Sequence, residues 1–593
     1  MREVFLKGVH AQNNGDYLLA RDIYRGLLIN HSTSQEVLVN LSVVCLNIGE
    51  YQESYDYAMQ CTKAYPGLSQ GWAALGTIQG VVGQVNESLE SFRIALELDP
   101  ANAYAANNLA NIFQHQGHLD YAFLRSCQAV YYGFRDQTTL ANHLLHSVRC
   151  CDYGRIATVN WHETIRSAPQ KPDLSGLFLS LLVTCENNED QYHLRDTIAK
   201  WGEMQSCFCD GDSLTDRLLA QPPSLVPSPY PIRLGFVSGD FRSHSVARFI
   251  WPLFKFLDKS SFLVYCYYTN GHIVDEWTNR FREASHHFVD VSPLSTPQLV
   301  SRIRRDRINI LFDISGFTYG TRSSALSLRA APVQVSWLGF PGTVGIPAYD
   351  YLFVDRFLAP VDRKLVREDL LVTTGTSVCF PLPESVPVTS RLPEEVRGHI
   401  TYGTLNNPYK LTRRTVSRWS AVMKADASSR MLFVRREFDS FFLRQNILRA
   451  FEEESVDPER IYFYNNSLGE RSYLDCYNEI DISLDTYPVT GGTTTTDALW
   501  MGVPVVTLEG PNIHQRVCSA ILRHACCEEW IARTDDEFIE IAIGLASDRM
   551  LRKYLRRILR ERVANSLLCD EQRFAQDFGD ALLGLYGCRH ARG

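Results

Sequence analysis

The sequence predicts an α-helical solenoid followed by two doubly wound α/β domains, and three observations carry that reading. Near the N-terminus four glycines recur at one spacing, each between two helical patterns. A proline-rich stretch, QPPSLVPSPYP, closes the helical part. Beyond it, helix pairs give way to apolar strand-type runs alternating with amphipathic helices.

The repeat comes first. Gly15, Gly49, Gly83 and Gly117 stand at steps of 34 residues, in NNGDY, NIGEY, VVGQV and HQGHL. At one offset from them lie Ala20, Ser54, Ser88 and Ala122, small residues suited to a close helix crossing. Leu41, Leu75 and Leu109 recur on the first helix of their units, and Pro66 and Pro100 end second helices. Period and residue types resemble the tetratricopeptide repeat, which stacks helix pairs into a superhelix with a concave peptide-binding groove. From Asp136 to about Leu225 the phase fades, and GLFLSLLVTCENNEDQYHLRDTIAKWGEM reads as two further helices capping the solenoid. The expected domains are 1–134 (repeats), 135–225 (further helices and linker), 226–390 and 391–593 (two α/β domains).

Bulk properties narrow the classes. A chain of 593 residues accommodates three to four domains, and 45% apolar with 21% charged residues is ordinary globular composition. The net charge of −8 argues against general nucleic-acid binding. Sixteen cysteines without paired CxxC spacing point to reduced thiols. MREVFLKGVHAQNNGDYL has no signal-type apolar block, and no run approaches the ~18 apolar residues of a membrane span, so the expectation is a cytoplasmic protein without a membrane partner.

Expected strands in the first α/β domain are Ile232–Val237, Phe262–Tyr268, FVDV just after His286-His287, Ile308–Asp313, Val333–Leu338 and Tyr351–Val354. In the second they are Ile400–Leu405, Met431–Val434, Ile461–Tyr464, Ile482–Leu484 and Val503–Leu508. Between them lies a proline-rich span from about Thr373 to Gly398, and the last helices, Asp535 to about Tyr586, should pack back across the domains. Such folds bind ligands at the carboxyl ends of their strands.

The chemistry-bearing stretch is DISLDTYPVTGGTTTTDALWMGVPVVTLEGP, Asp481 to Pro511. Strand, Gly491-Gly492 turn and a threonine-rich helix start form a nucleotide-phosphate site, because the first N–H groups of a helix lack internal partners and carry its positive end. An ordinary βαβ crossover capped by threonine is the plainer alternative. Four other strand ends stand out. GDFRSHSV puts His244 at a strand-to-helix turn, as a substrate contact, proton carrier or exposed cap. DISGFT offers Asp313 either to ligand or, as favoured in isolation, to an Asx turn. WLGFPGTVG carries three glycines that allow close backbone approach to a ligand. LNNPYK supplies Lys410, well placed to neutralise a diphosphate. His286-His287 has no third ligand at metal spacing, so no metal site is read there, and neither a P-loop nor a Gly-x-Ser-x-Gly elbow is present.

Together RLGFVSGDFRSHSV, HHFVDVS, DISGFT, RAAPVQVSWLGFPGTVGIPAYDY, GTLNNPYKLT and LDTYPVTGGTTTTDALWMGVPVVT resemble, in order, the protein O-glycosyltransferases of glycosyltransferase family 41. That family includes O-linked N-acetylglucosamine transferases and SPINDLY-type protein O-fucosyltransferases. The resemblance implies tetratricopeptide repeats joined to a GT-B fold of two Rossmann-like domains. It also implies sugar transfer from a nucleotide diphosphate to Ser or Thr of a protein, with inversion and without metal or cofactor. By it, His244 and His287 are active-site histidines, and Lys410 holds the diphosphate and stabilises the leaving group. Asn407 contacts pyrophosphate, Thr493 and Thr494 bind phosphate after Gly492, and Asp497 holds the ribose. Gly339, Pro341 and Gly342 line the sugar pocket. Two departures concern the donor: Gly492-Thr493-Thr494 stands where many N-acetylglucosamine transferases have His-Thr-Thr, and Tyr473 stands where a histidine usually meets the base. UDP-GlcNAc is the leading donor and GDP-fucose the alternative; a non-catalytic repeat scaffold is the rival from another class. Protein or peptide acceptors in the repeat groove are the implied partners, with homodimerisation open.

Overall fold

The computed structural model describes residues 2–30, 34–133, 137–158, 175–207, 223, 231–318, 320–382, 387–389, 391–465 and 472–590. The chain divides into two compact units, Met1–Cys150 and Cys151–Gly593. Among the described residues no helix is long and apolar enough to cross a membrane.

The first unit is built of antiparallel helix pairs, from Arg2–Asn13 with Tyr17–Asn30 to Ala103–His115 with Leu119–Tyr131, followed by Gln137–Arg149. The four in-phase glycines all take left-handed backbone conformations, with φ between 81° and 84°, in the turn joining each pair. A side chain there would strain the turn, which explains the glycine period. Ala20, Ser54, Ser88 and Ala122 are each fully buried at the helix crossings. The two serines also donate across the pair, Ser54 to the Ser42 carbonyl at 2.7 Å and Ser88 to the Gly76 carbonyl at 2.6 Å.

The second unit holds two parallel sheets. The first contains β1 (Ile232–Ser238), β2 (Phe262–Tyr268), β3 (His287–Asp290), β4 (Ile310–Asp313), β5 (Val333–Ser336), β6 (Tyr351–Asp355) and β7 (Asp369–Thr373), in the order β3-β2-β1-β4-β5-β6-β7. The second contains β8 (Thr401–Thr404), β9 (Arg430–Val434), β10 (Ile461–Tyr464), β11 (Ile482–Leu484), β12 (Val505–Leu508) and β13 (Ile531–Ala532), in the order β10-β9-β8-β11-β12-β13. Each order reverses once, between β1 and β4 and between β8 and β11. Strand loops diverge at such reversals and leave a crevice at the carboxyl ends. These are the two Rossmann-like halves of a GT-B fold.

Every expected strand is present, several trimmed at their ends. β7 and β13 were not foreseen, because β7 exposes part of its length in a charged context and β13 is only two residues long. The helices expected to cap the solenoid fall within the second unit. Ser175–Thr184 and Asn188–Cys207 belong to the second unit, where Phe178 and Trp201 pack on Phe317 with centroids 4.7 and 5.6 Å away. Gly202 sits so close to Ile346 that a Cβ would lie 2.9 Å from its Cα. Their apolar residues answer to the loops after β4 and β5, a tertiary demand that helical periodicity does not reveal. The linker Gln221–Pro231 falls almost wholly outside the described residues.

The closing helix Glu571–His590 returns to the first sheet, as expected of the last helices. Phe578 lies 5.2 to 5.5 Å, ring to ring, from Phe312, Trp337 and Phe353. Phe574 and Leu582 are buried in the same cluster. Burying each such side chain contributes roughly 1.5–3 kcal/mol, so the C-terminal segment is a structural part of the first α/β domain.

Candidate active site

The residues singled out at strand ends gather at the two reversals. His244 follows β1, Lys410 follows β8, and Gly492-Thr493 follow β11. With Gly339 and Pro341 beyond β5 they line one cavity of about 270 Å³ between the two sheets.

His244 caps helix Ser245–Phe256, whose apolar face (Val246, Ala247, Phe249, Ile250, Leu253) is buried and fixes the turn. Its Nδ1 accepts from the Val246 N–H at 3.3 Å and lies 3.4 Å from Asp240 Oδ2. The neutral ring that accepts from Val246 carries its proton on Nε2. A ring that turns Nδ1–H to Asp240 presents Nε2 as a proton acceptor. Burial depresses the imidazole pKa, with Asp240 offsetting part of the shift, while burial raises that of Asp240.

Lys410 ends the short 3₁₀ helix Pro408–Lys410, and its Nζ donates to the Thr490 carbonyl at 2.8 Å. That bond aims the ammonium at the glycine turn ahead of helix Thr493–Trp500. Burial lowers the pKa of the amine to about 8, with Asp485 pulling it up and Arg435 pushing it down. Gly492 is the N-cap with no side-chain cap bond, so the first N–H groups of the helix remain available to an anion.

Asp485 and Asn406 were missed by the sequence reading and organise this end. The Asp485 carboxylate, buried just after β11, accepts from Asn406 Nδ2 (3.0 Å), Gly491 N–H (2.8 Å), Thr486 N–H (2.9 Å) and Thr507 Oγ1 (2.7 Å). Asn406 Oδ1 in turn accepts from Thr494 Oγ1 at 2.8 Å. The signal was available: Asp485 ends a buried strand as Asp313 does.

The other expected site residues are placed differently. Thr494 spends its hydroxyl on Asn406, outside the cavity lining. Asn407 caps the 3₁₀ helix, accepting from Tyr409 N–H at 3.3 Å, also outside the lining. Gly342 does not line the cavity either; a Cβ there would meet Phe340 and Leu182. The room at Gly339 is taken by protein, because a Cβ would stand 2.3 Å from the Ile314 carbonyl oxygen. Gly345, at φ +65°, faces Ile198 and Ala199. The glycines of this loop thus serve close packing, with Gly339 alone also facing the cavity. Asp313 forms the Asx turn favoured for it, bonding Ser315 and Gly316 N–H, and takes a 2.6 Å bond from Tyr349. His287 opens β3 at the exposed edge of its sheet, stacked 4.3 Å from Tyr265, and does not line the cavity. Asp497 is wholly buried and bonded to Arg248 Nη2 at 3.3 Å, with Tyr473 and Tyr477 beside it.

Fold and site define a tetratricopeptide protein joined to a GT-B unit with a cleft lined by Lys410 and the start of helix Thr493–Trp500. The family model of glycosyl transferase family 41 matches residues 207–373 and 368–578, and the chain belongs to that family. It is 34% identical over 352 residues to the probable UDP-N-acetylglucosamine–peptide N-acetylglucosaminyltransferase SPINDLY of Petunia hybrida, covering 58% of this chain and 37% of that protein. To the UDP-N-acetylglucosamine–peptide N-acetylglucosaminyltransferase of Caenorhabditis elegans it is 23% identical over 481 residues, covering 61% of this chain and 41% of that one. Among solved structures, a mutant of the Thermobaculum terrenum O-GlcNAc transferase superposes with a TM-score of 0.67 at 26% identity, covering 94% of this chain and 98% of the other. The match spans well under half of the curated relatives' length.

Proposed function

We propose that this protein transfers a sugar from a nucleotide diphosphate to Ser or Thr hydroxyls of proteins, with inversion at the anomeric carbon. The observation that carries the proposal is the convergence of Lys410 Nζ, the open start of helix Thr493–Trp500 and His244 on one cavity. As the glycosidic bond breaks, charge grows on the β-phosphate. The ammonium and the helix N–H groups meet that charge without reorganising, which makes a metal ion unnecessary. N-acetylglucosamine from UDP-GlcNAc is the first choice of donor, supported by the names its relatives carry. GDP-fucose is the second, supported by Gly492 and Tyr473 at the two divergent positions. A groove in the repeat unit lined by Tyr55, Met59 and Trp72 supports a peptide acceptor.

The test is binding and turnover with UDP-GlcNAc and GDP-fucose on a peptide library, with and without EDTA. Turnover with one donor, unchanged by EDTA, is the expected result. Turnover with neither, in protein that binds neither nucleotide, overturns the reading in favour of a scaffold.

His244 is assigned the acceptor proton, with Asp240 at its back. A protonated ring cannot take a proton, so turnover falls as pH drops through the histidine pKa. Because burial depresses that pKa, the acid limb should lie below the ordinary histidine value of about 6.5. His244→Ala should remove the limb and cost ~10²–10⁴-fold in rate. A limb that survives the substitution makes His244 a positioning group only.

A further inference from the structure

A second cavity, of about 740 Å³, adjoins the active-site cavity, and His524 lines both. Arg356 and Phe357, in the loop after β6, form its wall on the side of the first α/β domain. Arg523, Glu528 and Arg533, from helix Val517–His524 and the turns around β13, face them from the second. The two domains are joined at this point. Arg516 Nε donates to the Phe357 carbonyl at 3.0 Å, and the Val361 N–H to the Pro511 carbonyl at 2.8 Å. His524 Nε2 lies 3.3 Å from Oδ1 of Asp355, the last residue of β6, close enough to pair but not aligned for a hydrogen bond.

The charges lining this cavity do not balance. Three arginines meet one carboxylate, Glu528, in a chain whose net charge is −8. Arg523 is already bonded to Glu509 through both terminal nitrogens, at 2.5 and 2.9 Å. The exposed side chains of Arg356 and Arg533 have no hydrogen bond or ion pair among the described residues. Arg356 lies over the Phe357 ring, 4.4 Å from its centre, and Arg533 bonds Glu537 only through its backbone N–H. Two unpaired guanidiniums on opposite walls repel, which works against closing one domain on the other. An anion between them turns repulsion into attraction. The guanidinium fork takes phosphate bidentately, so a small phosphate-bearing dianion is the chemistry that fits. The volume is that of an ordinary small-molecule pocket.

We propose that this cavity is a site for a small phosphate dianion, which bridges Arg356 and Arg533 and clamps the two α/β domains beside the active-site cavity. Lys410 and the start of helix Thr493–Trp500 line the active-site cavity and not this one, so the two sites are distinct. His524 and the loop after β6 connect them, since that loop gives Asp355 and Leu358 to one cavity and Arg356 and Phe357 to the other. Clamping favours a closed cleft, so the anion and a nucleotide in the cleft raise each other's affinity. The coupling rests on the nucleotide reading above; the site itself does not.

The experiment is calorimetric titration of inorganic phosphate into the full chain at constant ionic strength, for wild type, Arg356→Gln and Arg533→Gln, with unfolding curves on each. Titrations are run alone and with saturating UDP or GDP. Wild type should bind phosphate saturably and keep doing so when the nucleotide is bound. Each substitution should weaken phosphate binding by about tenfold to a hundredfold, in folded protein. Phosphate should raise nucleotide affinity in wild type by about fivefold, and in neither variant, whose nucleotide affinity without phosphate should match wild type. No saturable phosphate binding in wild type overturns the proposal. So does binding that the nucleotide displaces and the substitutions leave unchanged, which would place the phosphate in the active-site cavity. Binding that weakens in both variants but leaves nucleotide affinity unmoved overturns the clamp. Wild type that binds neither nucleotide overturns the donor reading, and the titrations of phosphate alone still decide this site.

Discussion

Lys410→Ala should lose ~10²–10³ of the turnover rate, about 3–4 kcal/mol of transition-state stabilisation, while the protein stays folded. The side chain contributes a single bond to the fold, Nζ to the Thr490 carbonyl at 2.8 Å, and Thr490 is held independently by the His514 carbonyl. What disappears with Lys410 is the positive charge that, in the proposed reaction, meets the leaving diphosphate. The pH profile separates charge from bulk. With the amine at about 8, wild-type turnover should fall as pH rises through that value, because the deprotonated lysine no longer neutralises phosphate. Lys410→Arg keeps a cation at every accessible pH, so its residual activity should show no such limb. Steady-state kinetics from pH 6 to 9.5, with unfolding curves on each variant, make the test. Wild-type turnover by Lys410→Ala would remove the lysine from the mechanism.

The fold was largely legible in the sequence because its signals are periodic. Glycines spaced 34 residues apart mark left-handed turns that recur once per helix pair, and near-continuous apolar runs mark strands buried on both faces. The site was legible where a residue sits beside a strand end, as His244, Lys410 and Thr493 do. It was not legible where two distant segments pair in the fold. Nothing local to Arg248 says that it reaches a carboxylate 249 residues away, and nothing local to Phe178 says that its helix serves the second unit. The glycines after β5 misled for a related reason. A glycine signals that something approaches closely, without saying whether it is ligand or protein, and at Gly339 it is the Ile314 carbonyl.

Asp485→Ala should be the most damaging substitution for stability around the site. It would strand four donors that now converge on one buried carboxylate: Asn406 Nδ2, the Gly491 and Thr486 N–H groups, and the Thr507 hydroxyl. Each unsatisfied buried donor costs about 1–3 kcal/mol. The losses do not add fully, because the turn relaxes, so the expected fall in unfolding free energy is about 3–5 kcal/mol. Turnover should fall as well, since Gly491 and, through Asn406, Thr494 set the geometry of the helix start proposed to meet the phosphate. Asp485→Asn divides the two roles. Its amide oxygen still accepts at the Oδ1 position, so most of the scaffold survives, but the negative charge opposite Lys410 is gone. That charge raises the lysine pKa, so its loss should move the alkaline limb of turnover below about 8. Asp485→Asn with an unshifted limb and wild-type stability would mean that the carboxylate neither builds the turn nor tunes the lysine. Loss of stability without a shifted limb would leave it a scaffold alone.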